Sequence, residues 1–290
     1  MKEQRGAGEK TISKKKEQIC IYDAMLQRLS EDDLSRLIPL LDLKTIYSTR
    51  LQRLFKEMKG GGKMLDMGCG TCWYSINAAR YGYDITGMDI SGYAVKIGKK
   101  VGKGLGDEIC KKCDFLLGDA ENPPFKEESF DCILYLNILE HLPDPETGIK
   151  EISRVLKPGG CVILATDLKK GFLTLDWLHK KITPKRYKAR QSRWGHDEEK
   201  FFDLDELKEM LGREGLLIEE TVYTESLVGL LYDSILLKLV FTKNFSWFMV
   251  KINNYILFPI IRLFSVIDPV LEHFGFAGAV GILAKKEEEH

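Results

Sequence analysis

A glycine-rich turn and a carboxylate occur at a spacing that suits a nucleoside site. The apolar run 64–67 breaks into Gly68-Cys69-Gly70-Thr71, and Asp89 ends a second short predicted strand about 20 residues later, as in nucleotide-binding units. Glycine has no Cβ atom, so the chain can turn sharply and a ligand can approach its backbone closely. A carboxylate in the position of Asp89 can accept hydrogen bonds from a ribose diol. We therefore expect Asp89 to bind a nucleoside.

Two strands and a helix must position these groups. The apolar run 64–67 is too short for a helix and predicts a buried strand. After the turn, apolar residues recur at helical spacing from Trp73 onward, and Gly82 is predicted to end this helix. Residues 84–88 predict the next strand. The pattern indicates a β-turn-α-β unit with Asp89 at the tip of its second strand.

The residues after the glycines narrow the kind of nucleoside. The dinucleotide fingerprint needs a third glycine where Trp73 stands, and an indole would crowd a pyrophosphate at a helix N-terminus. No Lys-Ser or Lys-Thr pair follows, although a phosphate-binding loop requires one. A nucleoside without phosphates is therefore predicted, and an NAD-dependent enzyme is kept as the lesser alternative.

At residues 64–72 the sequence resembles the first motif of the class I S-adenosylmethionine-dependent methyltransferases. It reads Met64-Leu65-Asp66-Met67-Gly68-Cys69-Gly70-Thr71-Cys72. The family usually carries a third glycine where Cys72 stands, and we expect this cysteine to keep a negative φ. The resemblance implies S-adenosyl-L-methionine as the cofactor, with a binding site that includes Asp66, Gly68, Cys69, Gly70, Asp89 and Ile90.

A third strand is predicted at residues 114–117, and it ends in Gly118-Asp119-Ala120-Glu121. A purine edge needs an acceptor for its amino group and a donor for a ring nitrogen. The resemblance assigns these roles to the carboxylate of Asp119 and the backbone of Ala120. In the alternative interpretation, Asp119 only caps the loop that follows it.

The fourth predicted strand, 129–136, runs into Asn137-Ile138-Leu139-Glu140-His141. Residues at the carboxyl end of a central parallel strand face the crevice in which α/β sheets bind ligands. The string is similar to the family's fourth motif in a subset that acts on small molecules and lipids, and it implies that Asn137 contacts the cofactor. An imidazole suits proton removal from a hydroxyl, so His141 is the first candidate base. Alternatively, His141 only orders the loop, and Glu140 could orient it.

A second histidine lies in the region where such enzymes differ most. Gly195-His196-Asp197 and Lys200-Phe201 precede an amphipathic helix predicted at 204–214. This string is similar to one in the ubiquinone-pathway O-methyltransferases, and the similarity makes His196 the second candidate base.

Charge balance and cysteine content argue against a nucleic-acid-binding surface, a disulfide scaffold and a metal site. The 290 residues carry 43 basic and 43 acidic side chains, so no basic surface for nucleic acid is predicted. Seven cysteines and the lack of a recognisable signal peptide indicate a reducing, cytoplasmic location. The pairs Cys69/Cys72 and Cys110/Cys113 are expected at opposite edges of the sheet, so no metal site is predicted.

For the whole chain, the resemblance implies an α/β fold with a Rossmann-like seven-stranded sheet. The strand order is 3-2-1-4-5-7-6 with the last strand antiparallel, and helices are added before the first strand and before the last one. The predicted parts are a polar tail (1–18), an N-terminal helical cap (19–62), a methyltransferase core (63–225 plus 276–286) and an apolar helical insertion (226–275).

The insertion departs most from the resembling fold. Its segments lack the run of about 20 uncharged apolar residues that a membrane span needs, yet they are too apolar to lie exposed on a soluble monomer. They could wall a pocket, lie in a bilayer interface, form a dimer surface or simply pack in the core. We favour a hydrophobic lid that contacts membrane peripherally.

These observations predict O-methylation of a hydrophobic or amphiphilic small molecule or lipid, with a histidine base. The alternative is a membrane-associated adaptor that binds S-adenosylmethionine without turnover. The oligomeric state is not predicted.

Overall fold

A computed structural model describes residues 15, 16, 19, 20, 23, 45–57, 61–169, 180–188, 201–225, 247–264, 266, 268 and 278–288. One seven-stranded sheet lies at the centre, with the order β3-β2-β1-β4-β5-β7-β6. Strand β7 is antiparallel to both neighbours, and the other pairs are parallel. The predicted fold class and strand order are confirmed. The strands are β1 Lys63–Met67, β2 Asp84–Asp89, β3 Cys113–Leu117, β4 Phe130–Leu136, β5 Leu156–Asp167, β6 Leu216–Glu225 and β7 Ala279–Lys286.

Helices cover the sheet and connect its strands. Those with bounds inside the described residues are, in chain order, α1 Ile46–Glu57, α2 Trp73–Arg80, α3 Gly92–Gly104, α4 Asp107–Lys112, α5 Pro145–Val155, α6 Leu204–Arg213, α7 Trp247–Ile252 and α8 Phe258–Phe264. A 3-10 turn, Leu139–His141, follows β4, and a π-helical turn, Asn253–Leu257, joins α7 to α8. Among the described residues, no helix combines the length and apolar character needed to cross a bilayer.

Alternation along β4 divides the core between the two faces of the sheet. Ile133 and Tyr135 lie in the cluster that includes α5 and α6, whereas Cys132 and Leu134 lie in the cluster that includes α1 and α2. Successive side chains of a strand point to opposite faces, so a central strand covered by helices on both sides must be apolar throughout. This explains why residues 132–135 are all buried.

Side-chain caps set the beginnings of two helices that border the site. The hydroxyl of Ser91 accepts a hydrogen bond from the backbone N–H of Ala94 at 3.0 Å and starts α3. Asp144 accepts from the N–H of Thr147 at 3.2 Å, and Pro145 occupies the first turn of α5. Helix α5 therefore begins at Pro145.

Strand β5 begins at Leu156, and the segment 157–160 bulges within it. The register with β4 shifts between Phe130 and Cys132. A Cβ atom at Gly160 would lie 2.9 Å from the carbonyl oxygen of Asp131, so this close passage requires glycine. The domain boundaries given above remain predictions.

Candidate functional site

The carboxyl ends of β1, β2 and β3 lie side by side and bring three predicted segments together. Met67 is in register with Met88, and Asp89 is in register with Leu117. The N–H of Gly68 donates to the carbonyl of Met88 at 2.6 Å, and that of Gly118 donates to the carbonyl of Asp89 at 3.0 Å. The glycine turn and the segments that carry Asp89 and Asp119 therefore form one edge of the sheet.

Glycine is required at the start of the turn. Gly68 has φ +77, and a Cβ atom there would lie 2.4 Å from Cδ1 of Ile138, in the loop after β4. Gly70 also has a positive φ, of +52. The turn is therefore a cradle without side-chain bulk, and Ile138 packs against it.

The expectation for Cys72 is wrong, because its φ is +62 rather than negative. Its N–H donates to the carbonyl of Cys69 at 2.7 Å, which closes a tight turn directly before α2. The left-handed conformation costs a residue with a side chain about 1 to 2 kcal/mol. The Cys72 side chain is buried next to Gly98, where a Cβ atom would lie 2.3 Å from its sulfur. Packing in this small space offsets part of the strain.

Asp89 joins two loops through its carboxylate. One oxygen accepts from the N–H of Gly70 at 2.8 Å, and the other accepts from the N–H of Ser91 at 2.8 Å. Asp89 is buried, and burial raises the pKa of its carboxyl group despite these hydrogen bonds. Each carboxylate oxygen has a further lone pair, so the group can still accept from a diol. Ile90 lies between these contacts and is half-buried.

Asp66 lies behind the turn as a buried acid. Burial raises its pKa to about 7, and the negative charge of Asp89 adds to this, whereas the hydrogen bond from the hydroxyl of Ser75 opposes it. A carboxyl with this pKa is partly protonated near neutrality. Sequence reasoning missed Ser75, although its place in the first turns of α2 was the available signal.

Asp119 accepts hydrogen bonds in the loop after β3, as a cap on that loop would. Its Oδ1 accepts from the N–H of Glu121 at 3.0 Å, and its Oδ2 accepts from Nζ of Lys15 at 2.5 Å. Ala120 is buried in the core beside it. The role of Asp119 and Ala120 in holding adenine stays a prediction.

Two residues of the N-terminal segment reach this edge of the sheet. Lys15 is helical and contacts the carboxylates of both Asp119 and Glu121. Burial lowers the pKa of Lys15, but the hydrogen bonds to the two acids outweigh it and raise the value above the ordinary one. The hydroxyl of Ser91 donates to Asp23. Lys15 was expected in a solvated tail; a single lysine in a polar stretch carries no periodic signal of such a contact.

The loop after β4 lies against the glycine turn through Ile138. Asn137 is exposed, has φ +55, and donates its N–H to the carbonyl of Ala165 at 2.8 Å. The N–H of His141 donates to the carbonyl of Ile138 at 2.8 Å, which closes the 3-10 turn. The half-buried His141 therefore lies in the same turn as Ile138, the residue that packs against Gly68.

Glu140 is anchored to the neighbouring strand. It is buried, and its Oε2 accepts from the hydroxyl of Thr166 at 2.9 Å. Thr166 lies near the end of β5 and is buried as well. The loop that carries His141 is therefore fixed at three points: Gly68 through Ile138, β5 through Asn137, and β5 again through Glu140.

Comparison with known proteins identifies the segment that contains these residues. Residues 65–164 match the family described as methyltransferase domain. The chain contains a class I S-adenosylmethionine-dependent methyltransferase domain. Over 122 residues the chain is 33% identical to norajmaline N-methyltransferase of Rauvolfia serpentina, a match that covers 42% of this chain and 38% of the relative. Over 106 residues it is 34% identical to the ubiquinone biosynthesis O-methyltransferase of Idiomarina loihiensis, covering 37% and 42%. The match thus spans less than half of each relative's length.

Solved structures show that the likeness in fold extends beyond the methyltransferase motifs. Geranyl diphosphate C-methyltransferase from Streptomyces coelicolor A3(2) superposes with a TM-score of 0.57 at 15% identity, covering 82% of this chain and 79% of that one. The cyclase SpnF superposes with a TM-score of 0.56 at 21% identity, covering 82% and 81%. Because a cyclase shares the fold, the fold alone does not fix the reaction.

Two further sequence predictions concern a second base and a metal site. His196 lies outside the described residues, so its role as a second base stays a prediction. No cluster of three or more histidine, cysteine or acidic side chains that could hold a metal occurs within the part of the chain that is described. Cys69 follows β1, and its sulfur lies 3.7 Å from that of Cys72, whereas Cys113 begins β3 at the opposite edge of the sheet.

Proposed function

We propose that the protein transfers a methyl group from S-adenosylmethionine to a hydroxyl group of a hydrophobic or amphiphilic small molecule or lipid. One observation carries the proposal: a turn without side-chain bulk lies at the same sheet edge as three carboxylates. Acidic groups at this edge disfavour a pyrophosphate, and the carboxylate of Asp89 attracts a ligand that carries a sulfonium and an ammonium group. The site therefore suits a positively charged nucleoside without phosphates.

The cradle at Gly68 is the feature that fits this cofactor. A side chain there would collide with Ile138 of the neighbouring loop, so a ligand at this turn would approach the bare backbone beside that contact. We expect Asp66, Gly68, Cys69 and Gly70 to hold the methionyl end. Asp89 with Ile90 would hold the ribose, and Asp119 with Ala120 the adenine. Asn137 completes this set from the loop after β4.

S-adenosylmethionine supplies a methyl group that is already activated by its positive sulfur. The protein must then align the acceptor, exclude water and remove a proton, and alignment accounts for much of the rate. In this proposal His141 accepts the hydroxyl proton, because its loop is fixed against both the glycine turn and β5. An imidazole can take up that proton near neutral pH.

The acceptor is proposed from the chemistry of a base and from the relatives. Curated relatives are named as N-, O- and C-methyltransferases, so their names alone leave the acceptor atom open. A hydroxyl must lose its proton during the transfer, which favours an O-acceptor where a histidine is available. The names of two relatives refer to ubiquinone and cycloartenol, which are hydrophobic molecules. We propose that this protein meets such an acceptor at a membrane surface.

Calorimetric titration with S-adenosylmethionine followed by turnover of radiolabelled donor with membrane extract tests this proposal. The label should appear in the lipid or small-molecule fraction. His141→Gln should lower turnover by about 100-fold or more, the range of general base catalysis, and leave cofactor affinity unchanged. Unchanged turnover would place the base elsewhere, with His196→Gln as the next variant.

A second candidate function is a membrane-associated adaptor that binds the cofactor without turnover. The strained Cys72 in place of the usual glycine favours it, because a departure in the first motif is expected where catalysis is no longer needed. Cofactor binding without a methylated product from any extract would support the adaptor and refute the proposed enzymatic function.

A further inference from the structure

The helical segment 247–264 has one face on the protein body and one apolar face in solvent. Val250, Asn253 and Phe258 are buried, as is Asp268 just beyond the helix. Arg50 of α1 anchors this side, since its guanidinium lies 3.0 Å from the carboxylate of Asp268. The segment is therefore attached to the fold along its inner side.

The outer side carries large apolar residues that contact solvent. Tyr255 is 78% exposed, Leu263 72% and Val266 69%. The exposed apolar face consists of Tyr255, Ile256, Ile260, Leu263, Phe264 and Val266. A contiguous apolar patch of this kind on a soluble protein marks a surface that is covered by a partner or a membrane.

Charge around the exposed apolar face favours one kind of partner. Between Asp233 and Asp268 the sequence contains no acidic residue, whereas it contains four basic ones: Lys238, Lys243, Lys251 and Arg262. Lys251 and Arg262 are both exposed on the helical segment. Apolar residues with basic neighbours and no acids match the composition of helices that lie in the interface of an anionic bilayer.

A cavity on this face has the same mixed character. Its volume is about 390 Å³, and its walls include Phe258, Leu263, Val266 and the cation of Arg262. Apolar walls suit an acyl chain, and a guanidinium suits a phosphate. This pairing suits an anionic amphiphile such as a phospholipid.

We propose that the exposed apolar face docks on an anionic lipid bilayer, with Lys251 and Arg262 at the depth of the headgroups. The inference builds on the proposed function in one respect: docking would bring the methyltransferase domain to an amphiphilic acceptor. Binding to the bilayer itself requires neither cofactor nor turnover.

Sedimentation with vesicles tests the docking on the full chain without cofactor. The protein should sediment with vesicles of phosphatidylglycerol and phosphatidylcholine, and salt should weaken this binding because it screens the headgroup charge. Leu263→Glu combined with Val266→Glu should lower the binding by about tenfold or more, because it is costly to place a carboxylate in the apolar part of the bilayer interface. Leu217→Glu, on β6 and 51% exposed, is the matched control and should bind like the unchanged protein.

Circular dichroism confirms that each variant is folded. Absence of sedimentation of the unchanged protein, or equal sedimentation of all variants, would overturn the docking. A dimer in light scattering that the Leu263→Glu and Val266→Glu pair dissociates, without vesicle binding, would assign the face to a second copy and also overturn it. Vesicle binding by a protein that methylates no extract would uphold the docking and remove the proposed enzymatic function.

Discussion

Gly68→Ala should destabilise the protein by about 2 to 5 kcal/mol, because the new methyl group meets two separate obstacles. The backbone there has φ +77, and a residue with a Cβ atom loses about 1 to 2 kcal/mol in the left-handed region. The Cβ atom would also lie 2.4 Å from Cδ1 of Ile138. Forcing a methyl group into occupied space costs about 1 to 3 kcal/mol more.

Gly82→Ala is the matched control for the first obstacle. Gly82 has φ +99 and no atom within 4 Å of an added Cβ, so this variant should lose only about 1 to 2 kcal/mol. The difference between the two variants isolates the contact with Ile138. In the background of Ile138→Ala, adding Gly68→Ala should cost only about 1 to 2 kcal/mol, because the collision is removed and the left-handed backbone remains. Urea unfolding followed by circular dichroism measures the unchanged protein, the three single variants and the double variant.

The same variant has a functional readout. Ile138 is the flexible partner in the contact, and its displacement would shift the 3-10 turn that carries His141. We therefore expect Gly68→Ala to weaken S-adenosylmethionine binding in calorimetry, whereas Gly82→Ala should not. Equal stability losses in both variants, together with unchanged cofactor affinity, would refute the contact between the turn and this loop.

Three further predictions concern charged groups. The folded pKa of Asp66 is raised from 3.8 to about 7, so the fold favours its neutral form, and stability should fall as pH rises from about 4 to about 7. Asn cannot ionise, so Asp66→Asn should abolish this pH-dependent loss of unfolding free energy, which amounts to up to roughly 4 kcal/mol. Urea unfolding at several pH values measures it. Lys15→Gln should tighten S-adenosylmethionine binding several-fold in calorimetry, because it frees the carboxylate predicted to hold adenine. Arg50→Ala should cost about 3 kcal/mol in urea unfolding, because it removes the guanidinium that lies 3.0 Å from the buried carboxylate of Asp268.

Each of these has a control on the same element or in the same titration. The control is Lys16→Gln at the exposed neighbour of Lys15, and this variant should leave cofactor affinity unchanged. Weaker cofactor binding by Lys15→Gln would show that Lys15 supports the site instead. Arg53, on the same helix as Arg50 but 71% exposed, should cost no more than about 1 kcal/mol as Arg53→Ala. A constant difference between Asp66→Asn and the unchanged protein at all pH values would contradict the raised pKa.

The parts that sequence predicted are those with a local physical signal. Residues 84–89 form a strand and Gly82 follows α2 as expected, since apolar periodicity and a glycine stop are properties of adjacent residues. The order of the strands came from the resemblance to a family. The convergence of the loops after β1, β2 and β3 followed from parallel pairing, which places the ends of neighbouring strands together.

The parts that sequence missed depend on contacts between distant segments. Lys15 contacts Asp119, 104 residues away, and nothing in its neighbourhood distinguishes it from other lysines. Cys72 adopts a positive φ because the turn closes through Cys69 and its sulfur fits beside Gly98, and neither condition is visible from residue type. The bulge in β5 likewise depends on the register with β4.

The carboxylate of Asp89 acts as a clasp between the glycine turn and the start of α3, through the N–H groups of Gly70 and Ser91. A substitution at this position would release both backbone segments at once, whatever the ligand does. A loss of cofactor affinity on mutating Asp89 could therefore result from distortion of the binding site as well as from the loss of a contact with the ribose. A cofactor analogue that lacks one ribose hydroxyl, tested on the unaltered protein, separates the two.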